Sequence, residues 1–143
     1  SINTTKYLMN REVGFGRKFL QILEDLNISW EHMPTGIDDL SIILRSRELT
    51  PIKEQEILKQ LTQKLEVDTA EIEHDLSIIM IVGENMKSQV GVTATAAKAL
   101  SENEINIQMI SQGSSEVSIM FVVSKDQEEK AIKALYNAFF SNN

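Results

Sequence analysis

Cysteine is absent from the 143 residues, which rules out a disulfide framework, a thiolate nucleophile and a thiolate metal site, and permits a reducing, cytosolic setting. Histidine is nearly as scarce. His32 and His74 stand far apart, neither has Asp, Glu or His at i, i+4, and no metal site is expected. The longest apolar run, Leu76–Val82, is far too short to span a bilayer, and no signal peptide is visible. Basic residues are outnumbered 14 to 21, and a net charge of −7 repels both a nucleic-acid backbone and an anionic membrane surface. There is no Gly-x-x-x-x-Gly-Lys-Ser/Thr loop, no dinucleotide fingerprint and no Gly-x-Ser-x-Gly elbow, so catalysis by this chain alone has no residues to rest on. The chain opens on Ser1 instead of Met, which reads as a piece excised from a longer protein.

What is present is a repeat. Residues 9–58 overlay residues 86–135 at a constant shift of 77, pairing Met9 with Met86, Val13 with Val90, Gly14 with Gly91, Leu23 with Leu100, Ile28 with Ile105, Gly36 with Gly113 and Leu58 with Leu135. A shift held without a gap across helices and strands points to duplication of a complete folding unit, since a solenoid needs at least three short repeats. The expected domains are 1–75 and 76–143, each near the lower size limit for burying a core of its own.

In the first copy a strand is expected over 2–9, then a glycine turn. A helix follows, with Phe15, Phe19, Ile22, Leu23 and Leu26 on one stripe and Asn27 at its αL-tolerant end. Strands are expected over 28–33 and 40–44, the first at a sheet edge because Pro34 cannot donate to a ladder. Pro51 opens a second helix with Ile52, Ile57, Leu58, Leu61 and Leu65 on its buried face, and 70–73 reads as a fourth strand. The order βαββαβ is ferredoxin-like: an α+β fold with a mostly antiparallel sheet and helices on one face. The second copy repeats it with strands over 76–83, 106–111 and 117–123 and helices over 91–104 and 127–140, its fourth strand short or missing. The alternating Glu71, Glu73 and Asp75 form the solvated face of a strand.

The glycine turn is the candidate site. Gly14 and Gly16 turn the chain sharply into a helix and leave backbone N–H groups free at its positive end, where a carboxylate is received well. Ser29, Glu31, Thr35, Asp38 and Asp39 on the following strand and turn are acceptors for ammonium groups. Together they suit a zwitterionic amino acid.

These residues carry a resemblance. Met9-Asn10-Arg11-Glu12-Val13-Gly14-Phe15-Gly16, then Ile22-Leu23-Glu24-Asp25-Leu26-Asn27-Ile28-Ser29 and His32-Met33-Pro34-Thr35-Gly36-Ile37-Asp38-Asp39-Leu40-Ser41, resemble the first ACT domain of bacterial aspartate kinases. Val90-Gly91-Val92, the Asn-Ile element at Asn106-Ile107 and Gly113-Ser114-Ser115-Glu116 resemble the second. The resemblance implies a C-terminal regulatory region of two ACT domains in tandem that binds an end-product amino acid and inhibits an attached kinase. That kinase would phosphorylate the aspartate β-carboxylate with ATP and Mg, and its Lys-Phe-Gly-Gly-type motif is not in this sequence. No cofactor is expected on the chain itself.

In lysine-sensitive members the effector lies between the first ACT domains of two subunits. Carried over position by position, the effector-binding residues are Met9, Gly14, Phe15, Gly16, Ser29, Glu31, Thr35, Gly36, Ile37 and Asp38. The sequence departs from the pattern in having Glu31 where aspartate is usual and Glu12 where some relatives have serine. Lysine is the leading effector, with threonine, methionine or a combination open, and the expected partner is a second copy of the chain in a homodimer. The turn over 87–92 lacks the paired glycines, so the second domain reads as structural and dimerising. Two rivals share the fold: a stand-alone ACT sensor or repressor subunit, and an acylphosphatase-like enzyme. The latter would need an asparagine on the strand Leu40-Ser41-Ile42-Ile43-Leu44, which has none.

Overall fold

The structure is a computed structural model describing residues 1–84, 86, 89–113 and 117–141. The chain divides into two compact units, Ser1–His74 and Asp75–Asn143.

In the first unit, β1 (Ile2–Thr5) lies between β2 (Asp39–Ile42) and β3 (Thr69–Ile72), antiparallel to both, with Ile2 opposite Ile42 and Ile72 and Thr4 opposite Leu40 and Ala70. These residues form the inward face, while Asn3, Ser41 and Glu71 share a polar outward one. Helices α1 (Phe15–Asp25) and α2 (Pro51–Leu65) bury Phe15, Phe19, Ile22 and Leu23, and Ile57, Leu61 and Leu65, in the core with Ile2, Leu40 and Ile42. Thr4 is buried there because its hydroxyl donates to the Leu40 carbonyl at 2.9 Å. Pro51 occupies the first turn of α2, capped by the Thr50 hydroxyl, which accepts the Lys53 N–H at 3.3 Å.

The first strand is shorter than its hydropathy suggests. Leu8 adopts φ 57°, which breaks the extended run and starts a 3-10 turn at Met9–Arg11. The strand expected over 28–33 is reduced to isolated bridges, His32 to Ile43 and Thr35 to Leu40. Ile43 and Ser41 donate to the carbonyls of His32 and Pro34, and Pro34 has no N–H to return the bond. This segment lies outside β2, at the edge where the proline is tolerated.

In the second unit, β6 (Ser118–Ser124) lies between β4 (Leu76–Val82) and β5 (Met109–Gln112), all antiparallel. Ile79, Ile119, Phe121 and Val123 pack with Val92, Ala96 and Leu100 of α3 (Val92–Glu102) and Ala131 and Leu135 of α4 (Glu128–Phe140). No fourth strand occurs among the described residues.

The duplication reaches the backbone. At the same shift of 77, Gly14 and Gly91 both cap a helix in the αL conformation, with φ 81° and 92°, and Asn27 and Glu104 both follow one at φ 51° and 54°. Each unit is a ferredoxin-like α+β fold, so two such domains stand in tandem.

Candidate functional site

Gly14 is the N-cap of α1 and offers no side chain to the helix's free N–H groups. Phe15 N–H reaches the Glu12 carbonyl at 3.3 Å and Lys18 N–H the Gly14 carbonyl at 2.9 Å. The N–H groups of Gly14, Gly16 and Arg17 have no acceptor among the described hydrogen bonds. Space is open where a Cβ would stand on either glycine, so a ligand can approach the positive end of the helix directly. Met9 and Phe15 are 6% and 4% exposed, and their side chains belong to the core beneath the turn. Of these two, the backbone is what faces a ligand.

The turn over 35–38 is fastened to the segment that leads into this helix. Lys6 N–H donates to the Asp38 carbonyl at 2.8 Å and Asn10 N–H to the Ile37 carbonyl at 3.2 Å. A Cβ on Gly36 would displace the Asp39 carboxylate, which packs over it. Ile37 is exposed and Asp38 half-buried. The Asp38 carboxylate oxygen Oδ1 is sealed from solvent without a hydrogen-bond partner. Unpaired N–H donors therefore stand at the positive end of α1, and an unpaired acceptor in a turn hydrogen-bonded to the segment that leads into it.

The ten predicted residues fall into two groups. Met9, Gly14, Phe15 and Gly16 belong to the segment that opens α1, and the turn of Thr35, Gly36, Ile37 and Asp38 is hydrogen-bonded through Ile37 and Asp38 to Asn10 and Lys6 of the chain leading into that helix. Ser29 instead lines a groove of about 630 Å³ beside the opposite end of that helix, with Leu23, Asn27 and Trp30. Glu31 is hydrogen-bonded through its N–H to Ile43 and ion-paired through its side chain with Arg45. An 11-residue helix is about 16 Å long, so one amino acid cannot touch Gly14 and Ser29 of the same chain.

Sequence reading missed the ions around the glycine turn. Glu12 bridges Lys18 at 2.7 Å and Lys6 at 2.6 Å, and these hydrogen bonds, Lys18 first and Lys6 second, hold its carboxyl below the usual carboxylate range. Lys6 also donates to the Leu65 carbonyl at 2.5 Å and sits 5.7 Å from the centre of the Phe15 ring. Neither spacing has a helical or strand period; the αL residue Leu8 lies between Lys6 and Glu12, and the αL residue Gly14 between Glu12 and Lys18. Among the described residues no group of three or more His, Asp or Glu is placed to hold a metal ion, and no helix is long and apolar enough to cross a membrane. Lys87 and Ser88 of the second turn, and Ser114, Ser115 and Glu116 of the Gly-Ser-Ser-Glu element, lie outside the described residues.

Residues 79–139 match the family model of an ACT domain. The chain is 53% identical over 141 residues to aspartokinase 3 of Bacillus subtilis, a match covering 99% of this chain and 31% of that protein. The chain thus spans about a third of that curated relative's length. It superposes on the aspartate kinase of Clostridium acetobutylicum with a TM-score of 0.91 at 38% identity, over 96% of this chain and 32% of that one. Escherichia coli aspartokinase III in complex with lysine and aspartate shares the fold, with a TM-score of 0.78 at 22% identity over 97% of this chain and 30% of that one. Duplicated fold, family match and sequence identity along the whole chain agree: the chain is a tandem of ACT-type domains that matches aspartate kinases along its whole length.

Proposed function

We propose that this region senses a free amino acid, lysine first among the candidates, and restrains an attached aspartate kinase when the amino acid is abundant. The observation that carries the reading is the pairing of vacant N–H donors at the N-terminus of α1 with the solvent-sealed, unpartnered oxygen of Asp38 in the adjoining turn. A carboxylate is stabilised on the helix end and an ammonium group by the acid, which is the charge pattern of an amino acid. Lysine is preferred because its second ammonium group has further acids to meet, Glu31 among them.

Ser29 stands too far from Gly14 in one chain to join the same ligand, and Glu31 is engaged there by Arg45. Contributed by a second copy, they complete the set, so the proposed site is shared across a homodimer. Ligand binding then favours the dimeric arrangement, and the kinase responds only to the extent that its inhibited state binds the amino acid more tightly. ATP, Mg and phosphorylation of the aspartate β-carboxylate, as the first step of aspartate-family amino-acid synthesis in the cytosol, belong to the parent enzyme in this proposal.

A thermal-shift screen against the twenty amino acids tests it, because a ligand that binds only the folded state raises the melting temperature. Lysine is expected to give the largest rise and to increase the dimer fraction in sedimentation. A flat response to all twenty would end the sensor reading, and a rise without any change in dimer population would end the shared-site part.

A further inference from the structure

A cradle for a carboxylate faces a problem of its own making, because the chain carries a carboxylate two residues ahead of the helix cap. Acids just before a helix are drawn to its free N–H groups, both by hydrogen bonding and by the field of the helix dipole. Glu12 is tied to the start of α1 through its backbone carbonyl, which accepts the Phe15 N–H at 3.3 Å. Gly14 leaves the capping position without a side chain, so nothing of the chain's own competes with Glu12 for it.

Both oxygens of Glu12 are nevertheless directed elsewhere, Oε1 to the Lys18 ammonium at 2.7 Å and Oε2 to the Lys6 ammonium at 2.6 Å. Lys6 is a fixed post. Its side chain is only 20% exposed, and its ammonium donates to the carbonyl of Leu65 at the C-terminal end of α2 and lies over the Phe15 ring. Lys18, on the first turns of α1, is the looser partner, at 42% exposure.

We propose that Lys6 and Lys18 form a latch that keeps the chain's own Glu12 carboxylate out of the cradle at the N-terminus of α1, leaving that cradle open to the carboxylate of a free amino acid. The inference rests on the reading of that cradle as the effector site. Lys6 and Lys18 are positioning residues: they act on the ligand through Glu12. A purely structural ion pair and a latch differ in one consequence. When the lysines are neutralised, removing Glu12 as well makes no repair in the structural case, and restores ligand binding in the latch case.

The test uses the full chain with lysine as the titrant, in wild type, Lys6→Met/Lys18→Met, Glu12→Gln, and the triple variant Lys6→Met/Lys18→Met/Glu12→Gln. Methionine keeps the apolar stem of Lys6 against Phe15. Calorimetry is expected to show the double variant losing about tenfold or more in affinity, as one lost charge-assisted contact would give, with the triple variant recovering most of it and Glu12→Gln binding at least as tightly as wild type. Independently of any ligand, the amide resonances of Gly16 and Arg17 should move in the double variant, as Glu12 caps them, and return in the triple variant. A triple variant as weak as the double, or Gly16 and Arg17 amides unmoved in the double, would overturn the latch. Should the double variant fail to fold, Lys18→Met alone carries the same comparison at smaller amplitude. If wild type binds no amino acid, the site reading fails by itself, and the amide resonances still decide whether the latch exists.

Discussion

Replacing Asp38 by alanine should move stability and affinity in opposite directions. The Asp38 Oδ1 atom is shut away from solvent with no donor to satisfy it, and such an acceptor costs roughly 1–3 kcal/mol. Alanine removes the acceptor and that cost, so the ligand-free chain should melt higher, by about 4 °C or more for a domain of this size. The same change removes the partner proposed for the effector's ammonium group. A charge-assisted hydrogen bond contributes roughly 1.5–3 kcal/mol, so lysine should bind about ten- to a hundredfold more weakly. Differential scanning fluorimetry without ligand and calorimetric titration with lysine measure the two halves. A residue that only supports the turn would give the opposite pattern, a lower melting temperature with affinity falling only in step with unfolding. Unchanged affinity in Asp38→Ala would remove Asp38 from the site.

Other perturbations follow from the same geometry. Gly14→Ala places a Cβ at φ 81° and should cost about 1–2 kcal/mol in urea denaturation, whereas Gly16→Ala, with an ordinary φ and open space, should leave stability level or slightly higher while obstructing the cradle and weakening lysine binding. Glu12 has its carboxyl held below the ordinary 4.5, so its contribution to stability is present above that value and lost as pH falls through the depressed one. Melting curves of wild type and Glu12→Gln should therefore be separated at neutral pH and converge in acid well below pH 4.5. Phe121→Ala, at a position with no exposed surface, should destabilise the second unit by about 3–5 kcal/mol, visible in near-ultraviolet and calorimetric melting.

The duplication was legible because it is a local property copied whole: the shift of 77 aligns apolar stripes, helix caps and even the αL residues Gly14 with Gly91 and Asn27 with Glu104. The edge position of the proline-bearing segment was legible too, since the missing N–H of Pro34 is a fact of its chemistry. How little regular strand survives there was not, because it depends on pairing with residues 39–43. The backbone half of the site, Gly14 and Gly16 before an amphipathic helix, can be read from residue types alone. The assembly of that half with Asp38, and the clamp of Glu12 between Lys6 and Lys18, rests on contacts across unrelated spacings and an αL leucine, which no periodicity announces. Ser29 and Glu31 joined the candidate list as ammonium acceptors on the strand expected after α1, and in a single chain Ser29 lies at the far end of that helix from the turn while Glu31 is paired with Arg45.

The most direct measurement is a lysine titration of the uniformly nitrogen-15-labelled chain, following the amides of Gly14, Gly16 and Arg17. The account predicts saturable displacement of these three resonances, centred on the N-terminus of α1 and moved to about ten- to a hundredfold higher lysine concentration in Asp38→Ala. Saturable binding that leaves these amides in place and perturbs another surface would contradict it.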